Sequence, residues 1–365
     1  MTETRAEILL PTQSLTDDLV FYTRILGMRL DMIYPADNPE VAVLSGHGLR
    51  LRLQKDASEP PGTIRILTDD PDGFAGGARS LTAPNGTRIQ IDVANPPLVL
   101  PATEHAFVVR RLADQAPWVI GRAGMHYRDL VPSRLGGAMI ASHIRIPDAG
   151  PVPDMVHFHK VGFQLIFCIR GWVEVIYEDQ GGPLRLHAGD CFIQPPEIRH
   201  RVLEASAGIE VIEIGVPADH VTEIDHAMRL PTPHLRADRE WQGQRFVFNQ
   251  AAAGVFRPSR IPGFEARDTT INENTRGVAS VMVARPTGAE VPWVRHQGDI
   301  LFTFVLAGTL QLEGDGKAPC MLSPGDAFVI PPGMATRYAN ASRDLEVLEV
   351  SLPGSPATVV VPGEP

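Results

Sequence analysis

The residues best suited to chemistry lie near the middle of this 365-residue chain. His157-Phe158-His159 alternates, so on a strand both imidazoles point to one side while Phe158 points to the other. Gln164 and Gly171 follow, and a third histidine, His200, comes after Gly189 and Pro195. Two inward histidines on one strand, joined by a third from a neighbouring strand, can offer three nitrogens to one face of a divalent ion. The remaining positions stay open for water, dioxygen or substrate. The alternative is three ordinary histidines making hydrogen bonds inside a β structure.

The spacing His-x-His, four residues, Gln, six residues, Gly, and then Gly, five residues, Pro and His resembles the two signature motifs of the cupin superfamily. That resemblance implies a jelly-roll barrel holding a divalent metal, with His157, His159, Gln164 and His200 as ligands. Many metal cupins place glutamate where this chain has Gln164, which is neutral, a weaker ligand and no proton acceptor. A three-histidine site with Gln leaves the ion's charge largely uncompensated and favours an anionic or enolate chelating substrate. It also removes the obvious general base. Gln164 is therefore expected to be a weak ligand, or a neighbour of the ion that orients bound substrate or oxygen.

Other residues are candidates for the same pocket. His143 and Arg145 share a face of the strand expected over Ala141–Ile146, and Arg145, Arg170 or Tyr127 could bind a substrate carboxylate or phenolate. Ile166 and Cys168 follow Gln164 with period two and are expected to face inward. The pocket beside the metal is then partly apolar, which suits an aromatic or medium-sized organic substrate better than a sugar. Glu174 and Glu197 are near in sequence, but such residues more often face solvent.

The scaffold for these residues reads as strands and turns from about Phe107 to Leu352, with an internal repeat. Gly189-Asp190-Cys191-Phe192-Ile193-Gln194-Pro195-Pro196 returns 136 residues on as Gly325-Asp326-Ala327-Phe328-Val329-Ile330-Pro331-Pro332, and Gly171 returns 137 residues on as Gly308. This predicts two barrels, over 106–216 and 276–353, joined by a connecting segment 217–275. The repeat sets Val294 and His296 opposite His157 and His159, Leu301 opposite Gln164, and Thr336 opposite His200. A lone His296 cannot hold a catalytic ion, so the second barrel is expected to be a structural partner with a degenerate metal site.

Residues 1–98 read differently. A strand at Ile8-Leu9-Leu10 precedes Ser14, which could cap a helix with Asp17 returning the bond. Leu15, Leu19, Tyr22 and Leu26 recur at helical spacing before Gly27, and strands are expected around Met28–Ile33, Val41–Leu44 and Leu49–Leu53. This small α+β order, βαβββ, resembles one module of the glyoxalase/vicinal-oxygen-chelate family, with a shortened second module over Gly62–Asp92. By resemblance Glu7 falls near that family's first metal ligand and Gln90 near its last. The histidines that complete such a site have no counterpart, and His47 lies in a turn, so a structural or dimerising element is expected.

Composition sets the remaining bounds. Gly and Pro, 33 each, point to a turn-rich, mainly β protein. A net charge of −10 disfavours nucleic-acid and anionic-membrane partners. No apolar run is long enough to span a bilayer, and Met1-Thr2-Glu3-Thr4-Arg5 lacks a leader pattern, so a cytoplasmic protein is expected. Cys168, Cys191 and Cys320 sit singly in apolar runs, as buried thiols would.

These readings combine into a mainly β protein, duplicated cupin barrels preceded by a vicinal-oxygen-chelate-like region. Its expected activity, by resemblance, is that of a non-haem metal dioxygenase in which a small phenolic, diketone or enol substrate chelates the ion. The expected cofactor is Fe(II), with Mn, Ni or Zn as alternatives. The other readings are a metal-dependent isomerase or lyase using the ion as a Lewis acid, and a non-catalytic ligand-binding bicupin. A homodimer is expected.

Overall fold

A computed structural model describes residues 6–35, 38–114 and 118–362. Met1–Arg5, on which the expectation about a leader rested, lies outside the described residues. Contacts divide the chain into Met1–Pro97 and Leu98–Pro365. No helix among the described residues is long and apolar enough to cross a membrane.

In the first unit, strand Ile8–Thr12 is followed by helix Leu15–Val20, a wider turn Phe21–Ile25, and strands Arg29–Tyr34, Val41–Gly46 and Leu49–Lys55. The first strand runs parallel to the last, closing a four-stranded sheet. Leu15, Phe21, Tyr22 and Leu26 bury the helix's apolar stripe on Leu10, Leu44, Leu51 and Leu53. The expected capping box does not form, because the Ser14 side chain makes no cap bond. Asp18 turns inward instead, where it accepts from the Thr12 hydroxyl and from Asn85 N at 2.9 Å. Strands Thr63–Thr68, Ser80–Thr82 and Arg88–Val93 make a second, three-stranded sheet. Glu7 is no open ligand here. Arg50 and Arg52 hold its carboxylate at 3.0 and 2.8 Å and lower its pKa, while Gln90 is exposed and His47 bonds Leu26 O at 2.6 Å.

In the second unit, two pairs of sheets face one another. The first pair combines a seven-stranded sheet, centred on Phe163–Arg170, Ile209–Val216 and Ile140–Ile146, with a sheet containing Trp172–Tyr177, His200–Ala205, His157–Lys160 and Val221–Ile224. The second pair repeats the plan with Ile300–Ala307, Glu346–Leu352 and Ser280–Pro286 facing Leu310–Gly314, Thr336–Ala339, Val294–His296 and Thr358–Val360. The registers bear out the repeat, since His157 pairs with His200 as Val294 pairs with Thr336, and Gln164 pairs with Gly215 as Leu301 pairs with Ser351.

The large sheets are covered on both faces, which is why their strands are nearly continuously apolar. Phe163, Leu165 and Phe167 point into a core shared with Phe302, Phe304 and Val350 of the second barrel. Gln164, Ile166 and Cys168 therefore point the other way, into the first barrel.

The expected boundaries need correction. Val108–Arg110, placed at the start of the first barrel, pairs with Ala327–Val329 in the second. The segment 217–275 is largely built into the barrels. Val221–Ile224 pairs with His157–Lys160, Val247–Asn249 with Cys191–Ile193, and Phe264–Asp268 with Ser280–Pro286. These pairings are set by partners distant in sequence, so nothing local announces them.

Candidate metal centre

His157 and His159 come from one strand and His200 from its neighbour, and all three are buried. One ligand nitrogen from each lies within 4.8 Å of the others, the one such group of three or more metal-binding side chains among the described residues. The ring centroids of His157 and His200 are 4.2 Å apart, and that of His159 is 5.1 and 5.2 Å from them.

The protein fixes which nitrogen each ring offers. His157 Nδ1 meets Met155 O at 2.7 Å and His200 Nδ1 meets Ile198 O at 3.0 Å. A carbonyl only accepts, so both Nδ1 atoms carry the proton, and in the neutral rings Nε2 is the atom with the lone pair. His159 Nδ1 lies 2.8 Å from Thr222 Oγ1, which can accept its proton in the same way. Asp154 Oδ1 stands 3.7 Å from His157 Nδ1, adding negative charge behind that ring.

Gln164 is buried on the facing sheet. Its Nε2 donates to Glu213 Oε1 at 2.6 Å, which leaves Oε1 as a buried acceptor with no hydrogen bond. Three clustered imidazoles of this kind fit a divalent ion of intermediate hardness.

The centre opens onto a cavity of about 940 Å³. His159, His200, Tyr177, Gln194, Glu213 and His220 line one part, and Ile144, Ile146, Ile166, Val175, Val202 and Val211 line much of the rest. Ile166 faces inward as expected, and Cys168 is buried in the adjoining core with its thiol pKa pushed up to about 12 by burial. Tyr127 also lines the cavity.

Arg145 does not. Ser142, Ile144 and Ile146 face the cavity, so His143 and Arg145 take the opposite side of their strand. His143 there bonds Glu210 at 2.8 Å and packs on Trp118 and Phe304. Arg170 is exposed, and Glu174 is engaged by Arg185 at 3.0 Å. Glu197 is absent from the cavity wall.

Sequence reasoning missed three residues. Glu213 is a carboxylate in the cavity wall, while Thr222 and His220 belong to the segment read as a connection. The His220 ring lies 5.5 Å from that of His159, with Nδ1 held by Pro217 O at 3.0 Å. Gly215 permits this, because a Cβ there would stand 2.8 Å from His220 Cε1. No spacing motif marks any of the three.

In the second barrel the matching space is filled. Leu301 and Val294 join an apolar core with Phe264, Phe328 and Tyr338, and His296 Nε2 donates to Ile330 O at 3.0 Å. Glu349, the counterpart of Glu213 in register, is clamped by Nε and Nη2 of the half-buried Arg260 guanidinium.

Residues 281–351 match the family model for the cupin domain. That match falls on the second barrel. Among curated proteins none matches the chain by sequence. Solved structures with the same fold include a two-residue deletion variant of Bacillus subtilis oxalate decarboxylase, with 14% identity and a TM-score of 0.51 over 72% of this chain and 82% of that one. The formate complex of Lactobacillus farciminis oxalate decarboxylase is similar at 14% identity and a TM-score of 0.51, covering 72% of this chain and 92% of that one. The fold is that of a bicupin.

Proposed function

We propose that the first barrel of this bicupin is a metal-dependent active site for a small oxygen-chelating organic substrate. The observation that carries this reading is the convergence of His157, His159 and His200, with each Nδ1 engaged by the protein, at one end of a 940 Å³ cavity. His157, His159 and His200 would hold the ion, with Gln164 as a weak fourth ligand through Oε1. A divalent ion supplies Lewis-acid activation of a chelated carbonyl, enolate or phenolate, and Fe(II) also allows chemistry with dioxygen.

The chain's own groups set the rest. The ligands are all neutral, so an anionic substrate is needed to balance the ion. Glu213 keeps the Gln164 amide in one orientation. Burial holds the Tyr177 phenol protonated well above its usual range, and Gln194 donates to its oxygen at 2.9 Å. The apolar wall keeps water from the site.

The leading reaction class is dioxygenation with Fe(II), and Mn, Ni or Zn are the other metals that such a site accepts. The second reading is a lyase or isomerase, since the similar structures include oxalate decarboxylases. Against oxalate itself stands the cavity, which falls in the range of about 300–1,000 Å³ typical of sites that enclose drug-sized ligands. We further propose that residues 1–97 form a vicinal-oxygen-chelate-like module that serves dimerisation.

Elemental analysis of the protein purified without added metal or chelator, beside His157→Ala/His200→Ala, tests the site. About one iron or manganese per chain, lost in the double variant, is expected. Oxygen uptake with chelating substrates then separates dioxygenase from lyase. No metal in either protein, and none on reconstitution, would overturn both readings and leave a ligand-binding bicupin.

A further inference from the structure

The cavity of the first barrel changes character along its length, in both sheets at once. In the histidine sheet Tyr177 pairs with His200, then Val175 with Val202, then Val173 with Ala205. In the facing sheet Ser142 pairs with Glu213, then Ile144 with Val211, then Ile146 with Ile209. The charged residues of the wall sit at the first of these levels or beside it. Asp129 pairs with Ser142, and Arg134 joins Asp129 at 3.7 Å to Asp219 at 2.9 Å. Each two-residue step advances about 6.6 Å, so a polar ring around the histidines gives way to about 13 Å of mostly hydrocarbon wall, in which Tyr127, paired with Ile144, turns its hydroxyl to Met125 S at 3.8 Å.

A hydroxylated substrate would leave its polar groups without partners along that wall, whereas a hydrocarbon gains from every methylene removed from water. We infer that the substrate carries, beyond its chelating oxygens, an alkyl or arylalkyl extension of about 13 Å that lies along Ile144, Val211, Ile146 and Ile209. The chelating head rests on the function proposed above. The apolar wall acts whether or not an ion is bound.

The test is calorimetric binding, under argon, of 4-n-alkylcatechols from methyl to nonyl, to the protein as purified and to His157→Ala/His200→Ala. In both proteins affinity is expected to rise about fourfold per methylene until the chain outgrows the wall. Val211→Trp, which obstructs the wall away from the histidines, is expected to flatten this slope with metal content retained. A flat slope in both unobstructed proteins overturns the inference, whatever the folding of the Trp variant. A slope that persists in a protein that takes up no metal supports the inference while overturning the proposed function. Metal uptake with a flat slope does the reverse.

Discussion

Gln164 donates from Nε2 to Glu213 Oε1 at 2.6 Å, joining neighbouring strands inside the first barrel. A carboxylate only accepts, so this bond decides which end of the amide faces elsewhere, and Oε1 is left buried without a hydrogen bond. Gln164→Glu would bring two carboxylates together in that place. Without metal the variant is expected to lose about 1–3 kcal/mol of stability in urea denaturation. Mn(II) should restore most of it by neutralising the pair. A metal-free variant as stable as the parent would separate Gln164 from the role given to it.

Thr222 reaches His159 Nδ1 at 2.8 Å from the strand beside it. Thr222→Val keeps the shape and removes the bond. Metal affinity measured by competition with a chelating dye is expected to fall about 10–100-fold, the usual cost of losing a partner behind a metal-binding imidazole. An unchanged affinity would show that His159 needs no such support.

Arg260 and Glu349 form a bidentate pair in the second barrel, both largely buried. Arg260→Met strands the carboxylate and is expected to cost about 3–5 kcal/mol. Arg260→Met/Glu349→Leu should recover most of that loss, because two apolar side chains replace two desolvated charges. Chemical denaturation of the three proteins checks both statements.

His143 gives the stability a pH dependence. Burial holds its pKa below the usual value of 6.5, outweighing the Glu210 bond that raises it. The Arg128 guanidinium also donates to Nδ1, the atom that would have to take up the proton. The unfolded chain gains a proton near pH 6.5 that the folded chain refuses until lower pH. Stability is therefore full above about pH 6.5 and falls as pH drops toward the folded value. His143→Gln is expected to reduce the loss between about pH 7.5 and 5.5 in urea titrations. His296, also lowered by burial, leaves part of it in place. Glu210, held low by His143, adds a separate loss below about pH 4.5.

The alternation of His157 and His159, the distant His200 and the offset of the two barrels were legible in the sequence. Each is a statement about spacing, and spacing survives folding. The side of the strand to which Arg145 belongs was not legible, because Ile140–Ile146 is covered on both faces and hydrophobicity does not mark the inner one. Glu213 escaped for the same reason, alternating with the buried Ile212 and Ile214 in a strand whose two faces are both enclosed. Thr222 became a neighbour of His159 only through the pairing of its strand, Val221–Ile224, with His157–Lys160, and the sequence placed Val221–Ile224 in a connection. The capping box expected from Ser14 and Asp17 does not form, and it is the neighbouring Asp18 that turns inward to Thr12 and Asn85.

The strand Val108–Arg110 lies ahead of the first barrel in sequence and at the edge of the second barrel's sheet in space. The chain thus visits the second barrel, builds the first and returns. Cutting the polypeptide between the barrels would give two fragments, the earlier of which still holds an edge strand of the later. Nicked protein should accordingly stay together on a sizing column, and heating should melt both barrels in one cooperative transition. The second barrel, where Val294 and Thr336 stand opposite His157 and His200, acts as a clasp on the barrel that carries the three histidines.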